Sequence, residues 1–375
     1  MYYRYVRLVP TAFLPCILTT LIGTGCGSRT ALDVVSHPEQ VDAGTPVDAA
    51  SPFAPYAVGF FGACFLEATG SVGCFVYPDG GNSESELAVT LDHIPGVRNA
   101  TQIAGEDPFC ARLDDGTVTC WTMENGGTGG IFPASPVANL DHVAEVDVSD
   151  GYGCAVRDDG SVWCWGEDTY NNLGLGNACP TSNPDCDAET HAPGPVVDVT
   201  GAQHVTINDI DACARTTLGS VYCWGRVGVG DTASYPIDRS VPIEIPAAQG
   251  ALSLAMSEGD TIATLSDALV VFGHPFGAEA PDAPTPIREP RATGEQVYGN
   301  RYDTFCTKSP ATPLHCTGGM SLDGATIGTS DFDVPGTEAA IDVSLAVPAG
   351  CARMTASDFV CWGQPFGGVT PVHVE

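Results

Sequence analysis

Short runs of β-branched and aromatic residues recur along the chain, and glycine, proline and aspartate separate them. Between Cys154 and Cys164, two such runs flank Asp158-Asp159-Gly160. This pattern predicts two antiparallel strands joined by a three-residue turn, with the glycine in the left-handed conformation. The unit is therefore read as a β-hairpin.

The segments between hairpins carry further strand-like runs, such as residues 143–149. Pro-Val or Pro-Ile turns are predicted at Pro136, Pro195 and Pro242. No segment shows a sustained helical period. The chain is predicted to be all-β.

Paired cysteines mark the repeat. In six hairpins the second cysteine follows the first by ten positions: Cys64 and Cys74, Cys110 and Cys120, Cys154 and Cys164, Cys213 and Cys223, Cys306 and Cys316, and Cys351 and Cys361. A seventh, degenerate copy spans 261–273, where Thr261 and Val271 are predicted to take the two cysteine positions. The joint loss of both cysteines is what a bonded pair predicts.

The spacing also fits the chemistry of a disulfide. A three-residue turn places residues ten apart directly across the ladder, where Cβ atoms lie about 4.5–5.5 Å apart, within reach of a disulfide. Each of the six pairs is predicted to be bonded, which requires an oxidising, exported location.

Other positions repeat with the cysteines. Glycine stands six positions after the first cysteine at Gly70, Gly116, Gly160 and Gly219, and an aromatic residue follows the second cysteine in most copies. Seven copies at this period predict a seven-bladed β-propeller over residues 55–375. Residues 370–374 are expected to close the ring against 55–58.

Blade 146–176 combines the hairpin with the tail Asn171-Asn172-Leu173-Gly174-Leu175-Gly176. It resembles a repeat of the regulator-of-chromosome-condensation family, and the hairpins at 213–225 and 351–363 are shorter matches. The resemblance implies a seven-bladed propeller, here of a bacterial secreted or lipoprotein type. It does not imply the nuclear exchange activity, because bridges and an export signal place the chain away from chromatin.

The N-terminus reads as a targeting segment. Arg4 and Arg7 precede an apolar stretch from Leu8 to Ile22, and small residues follow it up to Cys26, so residues 1–25 are predicted to be a lipoprotein-like signal peptide. Cys26 is the predicted lipidated residue, and residues 26–54, poor in aromatics, are a predicted disordered tether. An outer-membrane lipoprotein is expected, with a periplasmic or secreted protein as the alternative.

Charge narrows the range of partners. The sequence has 46 acidic residues against 14 Lys and Arg, a formal net charge of -32, and a single lysine, Lys308. Such a field repels phosphate backbones and anionic lipid, so nucleic-acid binding is not expected. Membrane contact is expected only through the N-terminal lipid.

Cys179 and Cys186 lie in an insert of about residues 177–195. With His191 they give three metal-ligating groups and no fourth, so a disulfide within the loop is predicted in place of a zinc site. Asp185 and Asp187 lack the ordered spacing of a calcium loop, and so do Asp331 and Asp333 elsewhere in the chain. No metal or cofactor is predicted.

No catalytic residue is predicted either. His93 and His142 both occur in Leu-Asp-His, which indicates a recurring structural element. Arg112, Arg215 and Arg353 share one repeat position, which favours a structural role. The alternative is an arginine ring at one mouth of the channel.

Three functions remain open. The leading one is a monomeric, lipid-anchored binding or scaffold module at the cell envelope, whose partner is an exported protein or envelope polymer, and this predicts an exposed apolar patch on one face. The second is an exported glycan-active hydrolase with a singular carboxylate cluster at the channel. The third is a purely structural envelope lipoprotein.

Overall fold

The structure is a computed structural model. It describes residues 5–7, 56–59, 62–76, 88–90, 92–123, 131–149, 151–176, 190–227, 237–257, 260–273, 286–292, 294–300, 304–318, 330–346, 349–355, 359–363 and 368–374. Seven four-stranded antiparallel sheets follow one another along the sequence, each formed by one continuous segment. The predicted all-β, seven-bladed propeller is confirmed.

Each blade runs from an inner first strand at the channel to an outer fourth strand. Blade 1 consists of Tyr56–Val58, Gly62–Leu66, Val72–Val76 and Asp92–His93. Blade 2 consists of Ala100–Ala104, Phe109–Leu113, Val118–Trp121 and Ser135–Pro136. Blade 3 consists of Val143–Ser149, Tyr152–Arg157, Val162–Gly166 and His191–Pro195. Blade 4 consists of Ala202–Ile207, Asp211–Thr216, Val221–Val227 and Ile237–Glu244. Blade 5 consists of Ser253–Met256, Asp260–Thr264, Ala268–Gly273 and Ile287–Pro290. Blade 6 consists of Gln296–Gly299, Thr304–Lys308, Leu314–Gly318 and Ser330–Val334. Blade 7 consists of Asp342–Leu345, Ala349–Arg353, Phe359–Gly363 and Gly368–Val374.

Two smaller elements complete the description. Tyr5–Arg7 pairs with Ala88–Thr90 in a two-stranded sheet, and Pro246–Ala248 is a short 3₁₀ helix. None of the helices in the described ranges is long and apolar enough to cross a membrane. Apart from residues 5–7, the predicted signal, Cys26 and the tether lie outside the described residues and stay predictions.

The six predicted hairpin disulfides are present in the blades. Each joins residues directly opposite in the second and third strands of its blade, with Cα atoms 4.0–4.1 Å apart. The bonded pairs are Cys64 with Cys74, Cys110 with Cys120, Cys154 with Cys164, Cys213 with Cys223, Cys306 with Cys316, and Cys351 with Cys361.

The position of these bridges explains why the spacing repeats. All of the bridged cysteines are buried except Cys120, which is partly exposed. In blades 1, 3 and 4 they pack with side chains of the following blade, so the bridges belong to the seams as well as to the hairpins. The predicted bridge between Cys179 and Cys186 lies outside the described residues and stays a prediction.

Blade 5 corrects one prediction. Val271 pairs with Ile262, while Thr261 pairs with Phe272, so Ile262 and not Thr261 takes the first cysteine position. The reason is a shorter turn: the amide of Leu265 donates to the carbonyl of Ala268, which leaves two residues in the loop. A spacing of nine restores direct pairing there.

The turn glycines are as predicted. Gly70, Gly116, Gly160 and Gly219 have φ values of +75° to +77°. At Gly160 a Cβ atom would lie 2.8 Å from the Cα of Gly201, so the turn needs glycine for both its conformation and its contact with the next loop.

The prolines expected in turns lie instead in outer strands. Pro136, Pro195 and Pro242 belong to the fourth strands of blades 2, 3 and 4. An edge strand has one side free of ladder partners, so a missing N–H costs little there. The three prolines therefore lie in the strand that ends a blade and not in a turn.

The expected ring closure is also wrong. Gly368–Val374 pairs with Phe359–Gly363 inside blade 7, and Tyr56–Val58 pairs only within blade 1. Tyr56 closes the ring by a side-chain contact: its buried hydroxyl donates to the carbonyl of Cys351 at 2.9 Å, and its ring packs edge-on against Phe359. The termini thus meet by packing between blades and not by sharing a sheet.

Candidate binding site in the central channel

The first strands of all seven blades line an axial channel of about 310 Å³. Blade faces pack against each other, so the first-strand side chains lie in the seams between blades and border the channel. Among the described lining residues the charged ones are Glu106, Glu145, Asp147 and His204, and none is Arg or Lys. The channel wall is therefore acidic.

One ring of residues is defined by the repeat, namely the first-strand residues that pair with the first cysteine position of each blade. They are Ala57, Ala104, Asp147, Thr206, Ala255, Tyr298 and Ser344. All seven line the channel. Six are uncharged, which makes Asp147 of blade 3 the one carboxylate of this channel ring.

Glu145 and His204 lie beside Asp147 at the seam of blades 3 and 4. The Nδ1 atom of His204 lies 2.6 Å from Oε1 of Glu145. Glu145 is only 4% exposed, and its Oε2 accepts no hydrogen bond from the described residues. The imidazole is 30% exposed and lines the channel, and its contact with Glu145 fixes its orientation.

Asp147 joins the two blades through backbone amides. Its Oδ2 accepts from the Ile207 amide and its Oδ1 from the Val148 amide, both at 3.0 Å. Ser149, two residues further along the strand, donates to Asp209 at 2.7 Å. Ionisable side chains thus hold this seam at several levels.

Neighbouring seams use uncharged groups for the same task. Gln102 of blade 2 both donates to and accepts from the backbone of Val146 in blade 3. Asn208 of blade 4 donates to the Ser257 carbonyl in blade 5 at 2.7 Å. A carboxylate is therefore not required to join two blades, so packing alone does not explain the carboxylates of Asp147 and Glu145.

Burial changes the acidity of this seam. Burial raises the pKa of Asp147 to about 7, although the Ile207 amide and His204 oppose the rise. Burial lowers the pKa of His204, but the charge and hydrogen bond of Glu145 outweigh it, and the net direction is upward. Burial, with the nearby charges of Asp260 and Asp209, also raises the pKa of Asp211 to about 8. The channel wall therefore changes its charge near neutral pH.

The arginines of the shared repeat position do not line the channel. Arg112 donates through Nε to the Val143 carbonyl of the next blade at 2.8 Å, and Arg353 lies 3.8 Å from Asp342. In the neighbouring position, Arg157 bonds to Asp141 and stacks over Trp163. The contacts of Arg112 support the structural interpretation, and none of Arg112, Arg215 and Arg353 is among the described residues that line the channel.

The other sequence candidates are likewise occupied. Asp331 and Asp333 lie on either side of His315, at 2.8 and 2.9 Å from its two ring nitrogens. His93 contacts Glu67 on an exposed hairpin. Within the ranges that the structure describes, no three His, Cys, Asp or Glu side chains come together to hold a metal ion. Cys179, Cys186, Asp185 and Asp187 lie outside those ranges, while His191 lies in the fourth strand of blade 3.

The blade 3 tail is a packing device. Trp224 of blade 4 donates to the Asn172 carbonyl at 2.8 Å, and Leu173 is fully buried beneath it. A Cβ atom at Gly174 would lie 2.8 Å from the Trp224 ring. The tail therefore fixes the base of the insert to the next blade.

Sequence reasoning missed Glu145, Asp147 and His204. Glu145 and His204 are 59 positions apart and meet only when adjacent blades pack. A signal was nevertheless present, because both stand nine positions before the first cysteine of their blade. The first strands repeat in position but not in residue type, and that variation marks the channel.

The chain is similar to known propellers. The model of the regulator of chromosome condensation (RCC1) repeat matches residues 143–172. Human WBSCR16 is 15% identical with a TM-score of 0.61, covering 84% of this chain and 94% of that one. The CRINKLY WD40 ectodomain of the Arabidopsis thaliana receptor kinase ACR4 is 17% identical with a TM-score of 0.53, covering 86% and 99%.

A third structure, Prp20p from Saccharomyces cerevisiae, is 14% identical over 85% of this chain and 76% of that one, with a TM-score of 0.45 that supports no inference. None of the curated protein sequences matches this chain. The similarity supports the fold, a seven-bladed propeller with RCC1-type repeats. At identities this low it does not show a function.

Proposed function

We propose that this RCC1-like seven-bladed propeller is an exported binding module, anchored to the outer membrane through a lipid on Cys26, which docks another exported protein. Propellers with such repeats generally serve as binding or exchange-factor modules. The chain is proposed to act as a monomer, to use no cofactor and to avoid nucleic acids, in line with its net charge of -32.

One observation carries the proposal. The residues that repeat from blade to blade form disulfides, turns and seams, whereas Asp147, a carboxylate that no other blade repeats, borders the channel beside Glu145. A role common to all blades would use a common residue. A singular acidic group in a concave wall is what a binding site for a specific partner needs.

Two exposed leucines support a protein contact surface. Leu218, in the blade 4 turn, is 81% exposed, and Leu252 is 55% exposed. The loops that carry them are in contact, since the Gln249 side chain donates to the Leu218 carbonyl.

The experiment has two arms. Radiolabelled palmitate should enter the wild-type protein and not the Cys26→Ser variant, which should also leave the membrane fraction. Crosslinking of intact cells followed by purification should give one reproducible exported partner. Absence of label in the wild-type protein overturns the anchor, and absence of any partner across repeated captures overturns the binding function.

A hydrolase is the second candidate, because the pKa of Asp147 is raised to about 7 within a cavity, as a general acid requires. Purified protein incubated with envelope glycans should release reducing ends if this candidate is correct. The Asp147→Asn variant should then be inactive, while Asp198→Asn, an exposed site, should remain active. No release by the wild-type protein removes the candidate.

A further inference from the structure

We propose that the channel at the seam of blades 3 and 4 binds a single organic cation, a guanidinium or ammonium group, on Asp147 and Glu145. The inference rests on the proposed binding function and names the chemistry of its ligand. The same chemistry occurs in a basic side chain of a partner protein and in a free polyamine.

The first support is the charge of the cavity. Two carboxylates, Glu145 and Asp147, lie beside one imidazole at this seam, and the described lining residues include no arginine or lysine, although Arg215 lies opposite His204 in the next strand. A concave wall of low dielectric concentrates such a field, and the net charge of the whole chain reinforces it. A cation gains free energy on entering.

The second support is an unsatisfied acceptor. Glu145 is more than nine-tenths buried and lines the channel, yet Oε2 has no hydrogen-bond partner among the described residues. A buried acceptor without a donor destabilises the folded chain, and a charged acceptor does so more strongly. A ligand with several N–H donors, or an ordered water, relieves that cost.

The third support is the mismatch with a metal ion. In the described part of the chain, no three ligating side chains meet closely enough for metal coordination. A guanidinium or ammonium group carries its charge on several N–H donors, so it can bind to two carboxylates and does not need a third ligand. The cavity of about 310 Å³ accepts one extended side chain.

Protonation competes with this ligand. Asp147 faces Glu145 on its own strand and His204 on blade 4, and His204 in turn is influenced by Arg215. A bound cation favours ionised Asp147 and neutral His204. By linkage, affinity for the cation rises as the pH increases from about 6 to 8.

Isothermal titration calorimetry tests the inference with three probes: N-acetyl-arginine methylamide, its neutral isostere N-acetyl-citrulline methylamide, and spermidine. The arginine probe should bind, and the citrulline probe should bind at least about tenfold more weakly, as expected for loss of a charge-assisted hydrogen bond. Comparable binding of spermidine identifies a free polyamine as the source, and selective binding of the arginine probe identifies a protein side chain.

Variants make the test specific. Asp147→Asn and Glu145→Gln should each weaken the cation by about tenfold or more and flatten its pH dependence. Asp198→Asn removes the same charge from an exposed loop and should change affinity less than about twofold. Thermal melts confirm that all three variants fold.

Failure is recognisable. If the arginine and citrulline probes bind equally, if neither cation binds, or if Asp147→Asn binds like wild type, then only water fills the site and the inference is wrong. A partner that is still captured from cells by Asp147→Asn would leave the proposed binding function intact while this inference fails.

Discussion

Replacing Asp147 by asparagine removes the charge of the channel ring and keeps the size of the side chain. The asparagine retains one acceptor for the Ile207 or Val148 amide and loses the other, a cost of about 1 kcal/mol that does not vary with pH. The informative quantity is therefore the pH dependence of stability and not its value at one pH.

The raised pKa of Asp147 decides whether stability rises or falls with pH. Below pH 3.8, Asp147 is protonated in both the folded and the unfolded chain. Between pH 3.8 and about 7 only the unfolded chain ionises, so each increase in pH favours unfolding until the folded group also ionises. The full difference corresponds to about 4 kcal/mol of unfolding free energy, as an upper figure.

Two other buried groups also make the folded chain less stable as the pH rises. The pKa of Asp211 is raised to about 8, and the pKa of His204 is also raised, so the folded chain holds these protons more tightly than the unfolded one. Asp115 and Asp159 have lowered pKa values from their turn hydrogen bonds, but both are exposed. We expect the protein to be more stable at pH 5 than at pH 8.

Urea unfolding under non-reducing conditions, followed by tryptophan fluorescence at pH 5, 6, 7 and 8, measures this. The wild-type midpoint should fall as the pH rises, and the Asp147→Asn midpoint should fall less, with a gain over wild type of about 2 kcal/mol or more at pH 8. Asp198→Asn controls for the general repulsion of a highly charged chain. Parallel profiles for wild type and Asp147→Asn would refute the assignment of a raised pKa.

Three further outcomes follow from the fold. Replacing Cys154 and Cys164 together by serine should lower the unfolding free energy by about 2–3 kcal/mol, and an unchanged melting temperature under oxidising conditions would show that the bridge contributes nothing. Tyr56→Phe should lose about 1–2 kcal/mol and speed hydrogen exchange in blades 1 and 7 only, whereas uniform exchange would contradict its role in closure. Trp224→Phe leaves the Asn172 carbonyl unpaired, so exchange should increase in residues 171–176, and thermal melting should show a loss of about 1–3 kcal/mol.

Local features were predictable because the sequence holds both partners close together. The hairpin disulfides join residues ten positions apart, and the left-handed glycines are fixed by the turn itself. The shifted register of blade 5 could not be predicted, because Thr261 and Ile262 are both plausible strand residues and only a turn shorter by one residue selects between them. Turn length decides register, and the sequence Ser266-Asp267 did not reveal it.

Contacts between blades were harder to predict from the sequence. Tyr56 finds its acceptor 295 positions away, and nothing in the sequence near either residue marks the pair. Fourth strands such as His191–Pro195 look like turns, because prolines are tolerated at a sheet edge. The strand Gly368–Val374, which also contains a proline, was expected to close the ring and instead ends its own blade.

The channel shows why a repeat protein hides its site from sequence analysis. Repetition singles out the residues that build the blades, and blade 3 carries the one match to the repeat model, over residues 143–172. That same segment contains Asp147, which no other blade repeats at the equivalent channel position, and Glu145, whose counterpart in blade 7 is Asp342. Asn208 shows that a neutral side chain can hold a seam, so structure alone does not require two carboxylates at one seam. Retaining a buried Asp147 with a raised pKa, at a cost in stability at neutral pH and above, is the strongest reason to expect that this part of the channel has a ligand.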